Sequence, residues 1–115
     1  MGYKIGIIID EERMKLLKGT ELEGKVKDLF GGALKMLDVE VTEEQAKKLS
    51  QLFPRVRIDS RGYVEETPIV FRRELFKAVL SKGTGKDAID EILQSEKINE
   101  IVKLARTEDE YLPPP

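Results

Sequence analysis

The apolar positions of the chain fall into short blocks whose spacing predicts alternating strands and helices. Ile5, Ile7, Ile8 and Ile9 surround Gly6 with β-branched side chains on both faces, which predicts a buried strand over residues 3–10. Gly6 has no side chain, so another element, a helix in preference to a ligand, is expected to pack against it. Asp10, Glu11 and Glu12 end the strand. A short helical or irregular piece through Met14, Leu16 and Leu17 then stops at Gly19.

Thr20 and Glu23 have the spacing of a capping box, in which a hydroxyl and a carboxylate satisfy free amides at a helix start. The helix so predicted carries Leu22, Val26, Leu29, Phe30, Ala33, Leu34 and Leu37 as one apolar stripe. Gly24, Gly31 and Gly32 each cost it about 1 kcal/mol relative to Ala, so the paired glycines mark a kink, a break or a close helix contact. A backbone cradle for a ligand is the sharper alternative. Val39 and Val41 flank Glu40 in a short strand. Thr42 and Gln45 repeat the capping-box spacing and open a helix with Ala46, Leu49, Leu52 and Phe53 inward, which Pro54 ends.

Residues 56–59 and 63–65 read as a hairpin. A three-residue loop with Gly62 left-handed pairs Ile58 with Val64 and Arg57 with Glu65, separating apolar from charged faces. Thr67 and Pro68 start a helix that carries Leu75, Phe76 and Val79 and ends at Gly83. Thr84 is expected to cap a second helix and Ser95 a third. The acidic and proline-rich stretch 107–115 is expected to be a mobile tail beyond a single domain spanning residues 1–106. The expectation is an α+β fold: a small mixed β-sheet of three or four strands packed by helices, with a helical C-terminal third.

Composition narrows the chemistry. The 115 residues, 40% hydrophobic, suffice for one ordinary core. Twenty Lys and Arg against 22 Asp and Glu give a net charge of -2, which excludes a strongly basic nucleic-acid coat and leaves room for a local patch. With no Cys, His or Trp, disulfides, thiolate nucleophiles, imidazole bases and ordinary zinc sites are excluded. One Asn and three Gln amid abundant Lys and Glu lean towards a thermophilic source. Nothing at the N-terminus reads as a signal peptide, and no run approaches the roughly 18 apolar residues of a membrane span. A cytoplasmic protein without a membrane partner is expected.

Arginine is distributed unevenly: Arg55, Arg57, Arg61, Arg72 and Arg73 crowd into residues 55–73. The planar guanidinium binds phosphates and carboxylates in a fork that Lys cannot offer, and Tyr63 adds a ring for stacking. These six residues are the candidate anion or nucleic-acid site. The competing reading is structural pairing of Arg57 with Glu65, with Asp59, Glu66 and Glu74 neutralising the rest.

Three other motifs are weaker. Residues 82–87 approach a phosphate-binding loop but lack its first glycine and its magnesium-holding hydroxyl, with Leu80 and Asp87 in those places. A helix stop followed by a helix start explains them better. Asp10 at a strand end could hold magnesium if other acids converge, such as Asp38, Asp59 or Glu66. The last two helices have helix-turn-helix spacing, but their exposed charges are balanced, so phosphate attraction is weak. No catalytic constellation stands out, and no cofactor or metal is expected. The leading expectation is a non-catalytic interaction module, self-associating or bound to a protein partner. The alternatives are a nucleic-acid or phosphate binder using the arginines and a magnesium-dependent enzyme using Asp10.

Overall fold

A computed structural model describes residues 2–111. The isoleucine run forms β1 (Tyr3–Ile8), which ends where Asp10 caps α1 (Glu11–Leu17), its carboxylate accepting the Arg13 N–H at 2.8 Å. β1 pairs antiparallel with β3 (Leu34–Val41), setting Ile5 opposite Val39 and Ile7 opposite Leu37. A short β2 (Lys27–Leu29) closes the far side, for a strand order β1-β3-β2.

The helix expected from Thr20 does not form. Thr20 donates to the Leu17 carbonyl at 2.6 Å and accepts the Leu22 N–H, so it holds only a turn. Phe30, Gly31 and Gly32 follow in succession at φ 52°, 67° and 91°. Three consecutive left-handed residues reverse the chain, which no helix of L-residues accommodates. The apolar stripe also satisfies a strand period: Leu37, Val39 and Val41 face one side, Leu34 and Met36 the other. Pairing with β1 selects the strand.

α2 (Glu43–Leu52) opens on the expected capping box of Thr42 and Gln45. Gln45 is 5% exposed, and its amide also donates to the Lys86 carbonyl at 2.9 Å and to Asp90 at 2.7 Å. One side chain thus starts α2 and ties it to α4. The hairpin of β4 (Arg57–Ile58) and β5 (Val64–Glu65) has the expected register, with Gly62 at φ 90°. The Lys4 N–H donates to the Gly62 carbonyl at 3.0 Å, and Lys4 forms a parallel bridge with Tyr63. The hairpin therefore lies along the free edge of β1. This single bridge is the parallel element beside an otherwise antiparallel sheet.

α3 (Ile69–Lys82), α4 (Lys86–Leu93) and α5 (Lys97–Tyr111) build the helical C-terminal part. Gly83, at φ 86°, ends α3. Gly85, not Thr84, takes the cap position of α4, and the Thr84 carbonyl instead accepts the Glu40 N–H at 2.7 Å. The turn is thereby fastened to the edge of β3 beyond β2. Ser95 accepts the Lys97 N–H at 3.1 Å. α5 continues through Tyr111, into the stretch expected to begin a tail at residue 107. The rest of that tail, residues 112–115, lies outside the described residues. Among the described residues no helix is long and apolar enough to cross a membrane.

The core lies between the inner sheet face and the helices. Ile5, Ile7, Leu37, Val39 and Val41 meet Leu49 of α2, Phe71, Leu75 and Val79 of α3, and Ile89 of α4, all essentially inaccessible. Each such side chain contributes about 1.5–3 kcal/mol of transfer free energy. Phe53 and Phe71 pack edge to face at 5.6 Å.

Candidate functional site

The arginine-rich stretch divides between a hairpin turn and a groove, and Arg72 borders both. Arg57 pairs with Glu65 across the hairpin at 2.9 Å. Arg61 chelates Asp59 in the same turn, Nη2 at 3.0 Å and Nε at 3.3 Å. Asp59 also accepts the backbone N–H groups of Arg61 and Tyr63. Burial opposes ionisation of Asp59, but the hydrogen bonds from the Tyr63 N–H, the Arg61 guanidinium and the Arg61 N–H outweigh it. They hold the carboxyl at about 2, below its ordinary 3.8. The same carboxylate raises the pKa of Arg61. These two arginines secure a tight turn.

Tyr63 is a structural hub. It is 9% exposed, with Lys4 and Arg61 over its ring at 4.6 and 4.9 Å. Its hydroxyl donates to Asp38 at 2.9 Å and accepts from Lys27 at 3.1 Å. Lys27 also pairs with Asp38, and the bonds to Asp38 and then Tyr63 raise its pKa. The stacking expected of Tyr63 thus finds its ring already covered by cations. Arg73 is exposed on α3. Arg72 borders a small cavity with Arg61 and Tyr63, and with Arg55 it also lines a groove of about 680 Å³ that Arg106 of α5 completes.

The other motifs have local duties. Gly83 and Gly85 serve as a helix stop and a helix start. The Asp10 carboxylate is engaged as the cap of α1. Among the described residues no group of three or more Asp and Glu is arranged to hold a metal ion.

The structure also forms a surface that no sequence motif announced. Antiparallel register sets Ile8 opposite Met36, Met36 opposite Lys27, and Leu29 opposite Leu34. Alternation places these apolar side chains on the sheet face turned away from the core. Ile8, Leu29, Leu34 and Met36 all lie outside the core cluster. Ile8 is 47% exposed, and Phe30, at the adjoining hairpin tip, is 83% exposed. Gly6 does not receive the expected helix. The thioether of Met36 lies there, its sulfur 2.5 Å from where a Cβ would stand. The only signal in the sequence was the alternation of residues 34–41, visible once read with period two.

A protein-family model described as a family of unknown function (DUF6955) matches residues 3–93. No curated protein and no solved structure matches the chain.

Proposed function

Starting from a chain that belongs to the DUF6955 family, we propose that this protein is a non-catalytic interaction module that self-associates through the open face of its sheet. The observation that carries the reading is the apolar strip of Ile8, Leu29, Leu34 and Met36, continued by the exposed Phe30. Contiguous exposed apolar surface on a small protein marks an interaction site. The rim favours a second copy as the occupant. Lys27 and Asp38, which border the strip, neutralise each other within one chain, so two identical faces meet without net repulsion.

The backbone at Phe30 supports the same reading. A non-glycine residue at φ 52° costs of order 1 kcal/mol or more, and such strain persists where the position serves a purpose. Here it holds an aromatic side chain in water at the tip of a hairpin.

The phosphate or nucleic-acid reading is weaker, because Arg57 and Arg61 are engaged by Glu65 and Asp59 and the Tyr63 ring is covered. The magnesium-enzyme reading rests on Asp10, whose carboxylate caps a helix. The test of self-association is light scattering of the double variant Phe30→Ser, Met36→Lys beside the unmodified chain. An oligomer that becomes a folded monomer on substitution supports the reading. An oligomer indifferent to both substitutions removes the proposed face.

A further inference from the structure

A second surface shares no residue with the open sheet face. Where the end of α2, the start of α3 and the last turns of α5 meet, they enclose a groove of about 680 Å³. Leu52, Phe53 and Val102 give it an apolar floor, and Arg55, Arg72 and Arg106 stand around it. We propose that this groove binds a small organic anion in which one carboxylate or phosphate is joined to an apolar body.

Three features of the groove favour this ligand class. Its volume lies within the range of about 300–1,000 Å³ of sites for small molecules, which pair an apolar lining with a few polar anchors. The arginines come from the loop after α2, from α3 and from α5, so folding brings them together across more than fifty residues of sequence. Arg55 is engaged by a partner of its own, and among the described residues Glu66 is the acid that lines the groove beside Arg72 and Arg106.

Arg72 adds the most specific indication. It is half-buried and borders both this groove and a smaller cavity of about 250 Å³ beside Tyr63 and Gly6. Its side chain makes no hydrogen bond or ion pair with the described residues. A guanidinium partly withdrawn from water is costly without a partner, and a bidentate oxyanion is the group that its planar fork accepts best. Glu66, which also borders both cavities, is held at φ 64°, and such backbone strain clusters at ligand sites. An apolar floor beside the Arg72 guanidinium selects against a neutral lipid and against a small hydrophilic anion alike. It calls for both parts in one molecule.

The test uses the full chain labelled with 15N and follows amide resonances while decanoate is added below its micelle concentration. Inorganic phosphate, decanol and phosphatidylglycerol vesicles are the comparison probes. The proposal expects decanoate to shift the amides of Leu52, Phe53, Arg55, Thr67, residues 69–72 and residues 102–107, with phosphate and decanol each at least about tenfold weaker. Arg72→Met is expected to weaken decanoate about tenfold at unchanged melting temperature, and Arg106→Met serves if that variant does not fold. Equal binding of decanol, or equal binding of phosphate, overturns the proposal. So do shifts confined to other residues, no shift with decanoate up to its micelle concentration, or binding to vesicles without binding to the free anion.

Discussion

Met36 of β3 lies across the bare backbone of Gly6 in β1, with its sulfur 2.5 Å from where a Cβ at position 6 would stand. A flat thioether over a glycine gives the open sheet face its low centre, and Met adapts its shape more readily than a branched side chain. Gly6→Ala forces Met36 to swing outward. Only a flexible side chain must move, so the stability change is expected to stay within about 1 kcal/mol in a denaturant titration, partly offset by the lower entropy of the unfolded chain. Self-association is expected to weaken in the same variant. A loss of stability far above this value would mean that Met36 cannot yield.

Tyr63→Phe tests the hub beside β1. The hydroxyl joins Asp38 and Lys27, and its removal leaves the ring contacts with Lys4 and Arg61 intact. A loss of about 1–2 kcal/mol is expected, since a bond to a charged partner outweighs a neutral one. Thermal unfolding checks it, and an unchanged midpoint would assign the hydroxyl no net role.

Gln45→Glu places a carboxylate against Asp90 and the Lys86 carbonyl, where the amide donated to both. The capping function of the side chain is preserved, because either carboxyl oxygen can accept the Thr42 N–H. The α2–α4 link is lost and replaced by repulsion. Destabilisation of about 2 kcal/mol or more at neutral pH is expected, with partial recovery under acid conditions that protonate the new carboxyl.

The Asp59 turn predicts a pH dependence. Its carboxyl titrates at about 2 in the folded chain against 3.8 ordinarily. A group whose folded pKa is depressed stabilises above its unfolded pKa and loses that contribution as pH falls through the folded value. The stability gap between the native chain and Asp59→Asn is therefore expected to be constant above about pH 5 and to close between about pH 4 and pH 2. A gap independent of pH would show that the carboxylate charge is not what holds Arg61 and the turn.

The parts of the fold that depend on neighbours in sequence were legible in advance. The β4–β5 register followed from a three-residue loop that ends in Gly62, and the α2 cap from Thr42 and Gln45. Residues 20–37 were not, because Leu34 and Leu37 fit a helical stripe and opposite strand faces equally well. Pairing with residues 3–8, distant in sequence, decides between them. The candidate surfaces divide in the same way. Crowded arginines are visible in the sequence, but their division between a paired turn and a groove completed by Arg106, with Arg72 bordering both, is a product of tertiary structure. The open sheet face was hidden for a further reason: alternation shows that a strand has two faces, not which one the helices cover.

Association through an apolar face also has a salt signature. Charge-driven contacts weaken as the Debye length falls from about 10 Å at 0.1 M to about 3 Å at 1 M. Burial of Ile8, Leu29, Leu34 and Met36 is expected to hold or to strengthen over that range. A dissociation constant that rises steeply with salt would shift the interface to the charged rim.

Sedimentation velocity of the unmodified chain from micromolar to hundred-micromolar concentration tests the central claim most directly. The account predicts a mass above the 13.1 kDa of one chain, increasing with concentration and independent of added ligand. A single 13.1 kDa species throughout would contradict it.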